Sequence, residues 1–191
     1  KNISFNEAAC IPECFFTAWS NIVMRGGIKK NQKILIHGGT SGVGIASIQI
    51  AKLFESYIIT TVGNEKKVSF CEKLGVDKIL NYKKSDFFEE IKNSKISSVD
   101  LILDFIGGDY IKKNINLLNN DGKLLNIGFQ NGSIAEINFI KIMLKRLTIT
   151  GSTLRIRDND FKGKVLKDLT KFIFPQIETG KIKIYIDSIY K

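Results

Sequence analysis

Polar and apolar positions along this chain alternate in two kinds of block. Short, nearly continuous apolar runs occur at 34–36, 57–62, 78–82, 99–105, 123–129 and 147–150, each bounded by glycine, asparagine, aspartate or lysine. Such runs predict buried strands. Between them apolar residues recur at helical spacing: Ile45, Ile48, Ile50, Ala51 and Phe54; then Ile111, Ile115, Leu117 and Leu118; then Val165, Leu166, Leu169, Phe172 and Ile173 within 161–178. Further helices are expected from Asn64 through Leu74 to a stop at Gly75, after the capping pair Ser85-Asp86, and over 140–145. Residues 5–24 carry Phe15, Phe16, Trp19 and Ile22 and end at Gly26-Gly27, which predicts one further packed helix. Asn119-Asn120-Asp121-Gly122 is a strong turn signal, expected to separate a helix from the fifth strand. Six strands alternating with helices predict an α/β fold, a doubly wound six-stranded parallel sheet with helices on both faces. Ile182, Ile184 and Ile186 alternate like a strand after the last helix and find no evident partner in that sheet.

The stretch that organises the rest is 33–54. An apolar strand (Ile34, Leu35, Ile36) runs into Gly38, Gly39, Thr40, Ser41, Gly42, Val43 and Gly44, and a helical pattern follows at once. Strand, glycine turn and helix in succession form the first unit of a dinucleotide-binding (Rossmann) fold. Without Cβ atoms the backbone can lie against a pyrophosphate, while the helix start offers unpaired N–H groups and a positive dipole end. The glycines do not follow the strict G-x-G-x-x-G frame, so a tight turn that binds nothing is the competing reading.

Composition narrows the class. The chain has 191 residues, 43% of them hydrophobic, enough for one good core. No apolar run is long enough to span a membrane, and no charged-then-apolar leader opens the chain; the expectation is a cytoplasmic location. The first residue is Lys1 rather than Met, which suggests a piece of a longer protein. The net charge of +10 invites a nucleic-acid partner, but the lysines are scattered rather than gathered in a stripe, and composition bias accounts for them better. Cys10, Cys14 and Cys71 are too few for a disulfide framework. Cys10 and Cys14, four residues apart, fall short of the four ligands of a closed zinc site, so no metal is expected. His37 is the single histidine; at a strand end beneath the turn it reads as a hydrogen-bonded structural group rather than a catalytic one. Asp100 and Asp104 read as capping and turn residues of the fourth strand.

Five motifs carry a family resemblance: A-A-C-I-P-E-C-F-F-T-A-W (8–19), H-G-G-T-S-G-V-G (37–44), L-G-V-D-K-I-L-N-Y (74–82), L-D-F-I-G-G-D-Y (103–110) and K-R-L-T-I-T-G-S-T-L-R (145–155). In register and in order they resemble the zinc-independent quinone oxidoreductases of the medium-chain dehydrogenase/reductase superfamily. The resemblance implies that residues 1–191 are the NAD(P)-binding domain. The family's N-terminal catalytic domain would be absent, and 182–191 would begin the segment that returns to it. It further implies a hydride transfer from NADPH to a quinone or another α,β-unsaturated carbonyl, with no strict acid or base among these residues. It implies a homodimer in which the edge strand 147–153 of two subunits pairs. An enoyl reductase or zinc alcohol dehydrogenase of the same superfamily is the alternative, and a non-enzymatic nucleotide- or RNA-binding protein is another.

Matched residue by residue, the resemblance implies that Ser41, Gly42 and Val43 hold the pyrophosphate. Where the family commonly has alanine or glycine, this chain has Ser41. Thr17 would sit beside the nicotinamide, Ile127, Gly128 and Phe129 would line that end, and Ser152 and Thr153 would lie nearby. The choice of nucleotide can be argued from the residues. Coenzymes lacking the 2′-phosphate are usually held by a carboxylate near the end of the second strand. Here that place reads T-V-G-N-E-K-K (61–67): Gly63 leaves space and Lys67 brings positive charge. The family's matching lysine and tyrosine, here Lys67 and Tyr82, embrace that phosphate. Glu65 works against this if it points inward. A solvated lysine and a rim aromatic are the competing readings of Lys67 and Tyr82.

Overall fold

A computed structural model describes residues 3–190. Six parallel strands form one sheet: β1 (Lys33–His37), β2 (Tyr57–Val62), β3 (Lys78–Asn81), β4 (Val99–Asp104), β5 (Leu118–Asn126) and β6 (Thr148–Gly151). Their spatial order is β3-β2-β1-β4-β5-β6, with β1 paired to β2 and β4 and every pairing parallel. This is the doubly wound order in which the chain steps outward from β1 first to one side, then to the other.

Alternation along each strand sends residues to two cores. Ile34, Ile36, Leu101 and Leu103 join Ile48, Ala51, Trp19, Ile22, Val165 and Leu169 on one face. Leu35, Ile59 and Ile102 join Phe87, Ile91, Ile111 and Ile115 on the other. The first face is covered by α2 (Cys14–Ala18) with its continuation, α3 (Gly42–Leu53) and α8 (Asn159–Asp168). The second is covered by α5 (Phe87–Lys92) and α6 (Asp109–Leu117). The central strands are buried on both sides, so alternation does not show in sequence as polar positions.

Several boundaries depart from the sequence pattern. Residues 5–24 are not one helix: α1 (Phe5–Ala9) stops before Pro12, and Glu13 adopts φ 60° ahead of α2. α2 then widens into a π-helical stretch, Trp19–Arg25. There the Asn21 amide donates to the Thr17 carbonyl at 2.8 Å, competing with backbone for that acceptor. The 161–178 pattern is α8, a second π-helical stretch (Leu169–Ile173) and α9 (Phe174–Glu178), which carries Pro175 in its first turn. Trp19 ties the two wide-turned segments together, its Nε1 donating to Asp168 at 3.0 Å and its ring stacking on Phe172.

The 119–122 turn signal is real but does not precede the strand. β5 already pairs at Leu118 opposite Val99, and the next pair is Lys123 opposite Leu101, so the intervening residues bulge out with Asp121 at φ 62°. β5 also ends at Asn126, which leaves Ile127, Gly128 and Phe129 beyond the strand rather than in it. The remaining helices, α4 (Glu65–Lys73) and α7 (Phe139–Lys145), fall within a residue or so of expectation. Residues 182–186 join no ladder among the described residues. Gln49 clamps Lys183 there, donating to its carbonyl at 3.0 Å and accepting its N–H at 2.8 Å, and Ile182 is buried.

Candidate functional site

The site begins where β1 and β4 part company, at the carboxyl ends of the strands. Gly38 takes φ 65° with the Phe105 ring beneath it; a Cβ there would lie 2.3 Å from that ring. The next tight contacts are against backbone and strand side chains: a Cβ on Gly39 would meet Thr60 Oγ1 at 2.2 Å, and one on Gly44 would meet the Gly38 carbonyl at 2.3 Å. The glycines are there because the turn folds onto itself. Ser41 caps α3, its hydroxyl accepting the Gly44 N–H at 3.0 Å. Gly42 and Val43 occupy the first two helical positions, whose N–H groups have no intrahelical acceptor. Gly42 is exposed, and Cys14 packs against its Cα side, where a Cβ would come within 2.6 Å of Sγ. Free amides, a bare backbone and a dipole end together suit a pyrophosphate.

A buried polar network forms the floor. The Gly38 N–H donates to Thr61 Oγ1 at 3.2 Å, and that hydroxyl lies 3.1 Å from His37 Nδ1. His37 Nε2 is 2.9 Å from Asn114 Oδ1, and Asn114 Nδ2 donates to Asp104 at 3.2 Å. Asn126 Nδ2 donates to the same carboxylate at 3.2 Å, and the N–H groups of Ile106 and Gly107 donate to its other oxygen. With Thr61 donating, His37 is the neutral Nε2–H tautomer. Burial is the main cause, and it holds the imidazole below its ordinary range, against the opposing pull of Asp104. The ring edges of Phe87 and Tyr110 close around it at 4.9 Å each. The network stitches together β1, β2, β4, β5 and α6 under the turn. His37 is thus structural, and Asp104 is a turn residue that also anchors the network.

At the end of β2, Gly63 and Tyr82 meet: a Cβ on Gly63 would stand 2.6 Å from the tyrosine hydroxyl. Any larger residue would displace Tyr82, so the pair leaves an open, hydroxyl-bearing corner with Tyr82 47% exposed. Lys67 lies exposed in the first turn of α4, below the Asn64 cap that accepts its N–H at 3.0 Å. Glu65 is engaged elsewhere. Its carboxylate pairs with Lys84 at 2.9 Å and accepts from Asn81 at 2.7 Å, contacts that hold it below the usual carboxylate range.

On the other side of the switch point, Ile127, Gly128, Phe129, Ser152 and Thr153 line a single cavity of about 600 Å3, with Asn126, Ile156, Arg157 and Asp158. Thr17 is joined to it indirectly. Ser152 Oγ donates to Asn21 Oδ1 at 2.7 Å, and the Asn21 amide donates to the Thr17 carbonyl. The expected residues thus fall in three places past the carboxyl ends of the strands: the start of α3, the Gly63–Tyr82 contact and the cavity beyond β5 and β6. Sequence reasoning missed Asn21, Asn114 and Asn126, whose distant partners Ser152, His37 and Asp104 lie 131, 77 and 22 positions away. It also missed Ile156, Arg157 and Asp158, which follow a strand end with no periodic signal. No group of three or more histidine, cysteine or acidic residues that could hold a metal exists among the described residues. Cys10 and Cys14 alone do not make a zinc site. No helix among the described residues is long and apolar enough to cross a membrane.

This sheet order, with a glycine turn opening α3 at the switch point, defines a Rossmann-type nucleotide domain. The model of the family described as zinc-binding dehydrogenase matches residues 42–171, and the chain belongs to that family. Polyketide synthase 37 of Dictyostelium discoideum is 37% identical over 186 residues, 93% of this chain and 6% of that protein. The crystal structure of CurK enoyl reductase superposes with a TM-score of 0.83 at 28% identity, covering 100% of this chain and 56% of the other. Escherichia coli quinone oxidoreductase complexed with NADPH gives 0.83 at 26% identity, over 96% of this chain and 56% of that one. The chain thus spans little more than half the length of these solved relatives, and a small fraction of the synthase.

Proposed function

We propose that this chain is the coenzyme-binding part of an NADPH-dependent oxidoreductase that reduces a quinone or another α,β-unsaturated carbonyl. The observation that carries the proposal is the carboxyl-end edge of the sheet at the switch point. It has the free Gly42 and Val43 amides in the middle, the Gly63–Tyr82 corner at one end and the 600 Å3 cavity at the other. Bound NADPH would supply the hydride; the chain's own residues bind and orient. Ser41 sets the helix start so that the Gly42 and Val43 N–H groups face outward to the pyrophosphate. Gly63, Tyr82 and Lys67 take the 2′-phosphate, and no free carboxylate repels it because Glu65 is paired with Lys84. Ile127, Gly128 and Phe129 wall the nicotinamide end, with Thr17, Ser152 and Thr153 beside it. Proximity and orientation, rather than an acid or base from this chain, are its contribution.

A second reading, an enoyl reductase, is favoured by the likeness to CurK enoyl reductase and to a polyketide synthase. The two share the coenzyme site and differ in the acceptor. We also propose a homodimer through 147–153. It is supported by β6 standing at the sheet edge and by the exposed apolar residues Phe139, Met143, Leu144 and Ile149 around it. The coenzyme assignment is tested by calorimetry with NADPH and NADH, before and after Lys67→Ala. NADPH should bind at least about tenfold tighter, a preference that one charge-assisted contact can supply. The substitution should largely erase it. Equal affinity for the two nucleotides in the unaltered protein would remove the phosphate-site argument.

A further inference from the structure

The cavity at the nicotinamide end carries a charge that the reading above does not use. Its lining is apolar or small along Ile127, Gly128, Phe129 and Ile156, and the Ser152 hydroxyl is committed to Asn21. Arg157 is the one cation in that lining. Its guanidinium lies 4.5 Å from the centre of the Phe161 ring, which holds it in place from below. Its backbone is fixed too, the N–H donating to the Leu154 carbonyl at 3.1 Å. Among the described residues it forms no ion pair. The neighbouring Asp158 does not serve as its partner. That carboxylate caps α8, accepting the Phe161 N–H at 2.6 Å, where the helix dipole offsets its charge.

An oriented, half-buried guanidinium with unused donors, on the wall of a cavity whose one carboxylate, Asp158, is engaged in the α8 cap, is built for a planar anion. We infer that Arg157 is a specificity-determining residue that selects α,β-unsaturated carbonyl acceptors whose carbon skeleton also bears a carboxylate. The fork of N–H donors matches a carboxylate two-to-two, while Ile127, Phe129 and Ile156 cover the carbon skeleton. This rests on the oxidoreductase reading and narrows its substrate class from unsaturated carbonyls in general to unsaturated oxo acids.

The test uses the intact protein saturated with NADPH and two unreactive probes, 4-oxopentanoate and its methyl ester, whose binding is followed by calorimetry. The acid should bind about ten- to a hundredfold tighter than the ester, the span of a charge-assisted pair. Arg157→Gln should level the two affinities, and Arg157→Lys, which keeps the charge without the fork, should retain part of the preference. NADPH affinity, measured in parallel, should be the same in all three proteins. Equal binding of acid and ester by the unaltered protein, no binding of either, or a preference untouched by Arg157→Gln would overturn the inference. Failure to bind NADPH at all would instead overturn the reading beneath it.

Discussion

Acidification should weaken this fold through one identifiable side chain. His37 is the only histidine in the chain, fully buried, which favours its neutral form, and hydrogen-bonded between Thr61 and Asn114. In the unfolded chain it titrates near its reference value of about 6.5. Burial lowers the folded value, so between the two the unfolded state binds the extra proton and stability rises with pH. The stability is therefore complete above about pH 6.5 and is lost as pH falls below it. While the folded imidazole stays neutral, the slope approaches one proton, so stability should fall by on the order of 1 kcal/mol for each pH unit below that point. The carboxylates held below their ordinary range, Glu65 and Asp86 among them, act at lower pH and leave this window to the histidine. Urea titrations at half-unit steps from pH 5 to pH 8 measure the slope, and His37→Gln supplies the reference. The variant should be less stable at pH 7, because it breaks the network under the glycine turn, but its stability should be flat across the window. An equal slope in both proteins would refute the assignment of His37 as a buried neutral group.

Two more outcomes follow from the geometry. A Cβ on Gly44 would press on the Gly38 carbonyl and on Gly39 Cα at 3.0 Å, backbone that cannot swing aside, whereas Gly163 in α8 has nothing within 4 Å. Thermal or urea melts should therefore show Gly44→Ala costing about 1–3 kcal/mol, with loss of NADPH binding, and Gly163→Ala gaining up to about 1 kcal/mol; reversal of the two signs would contradict the packing described. For the proposed dimer, light scattering should report twice the chain mass, and Ile149→Lys on the edge strand should shift it to the monomer. A monomer at working concentration in the unaltered protein would contradict the pairing.

Much of the architecture could be read from residue order alone. Five of the six strands lie within a residue or two of their apolar runs; for β1, β2 and β4 the reason is that a parallel strand buried on both faces must be apolar along its length. Gly38 to Gly44 were legible for the same kind of reason: crowding against Phe105, Thr60 and the turn's own backbone leaves no room for side chains, and only glycine meets that demand. What failed was local. Residues 5–24 carry an unbroken helical pattern of apolar residues, yet Pro12 and the Glu13 conformation split the helix, and the Asn21 amide and Ser20 hydroxyl compete for Thr17's carbonyl in the wide turn. The 119–122 turn became a bulge because β5 could pair on both sides of it.

The linear order of residues by itself determined the α/β class, the place of the glycine turn and the candidates for phosphate contact, since strand burial, helix capping and missing Cβ atoms each leave a mark within a few positions. Tertiary structure alone decided which distant residues share a cavity or a proton. His37 became a buried group hydrogen-bonded to Asn114, far along the chain, Ser152 joined Thr17 through Asn21, and Arg157 came to share a cavity with Ile127 and Phe129. Contacts of that kind arise where strand ends converge, and the distance in space between two such ends is independent of their separation along the chain.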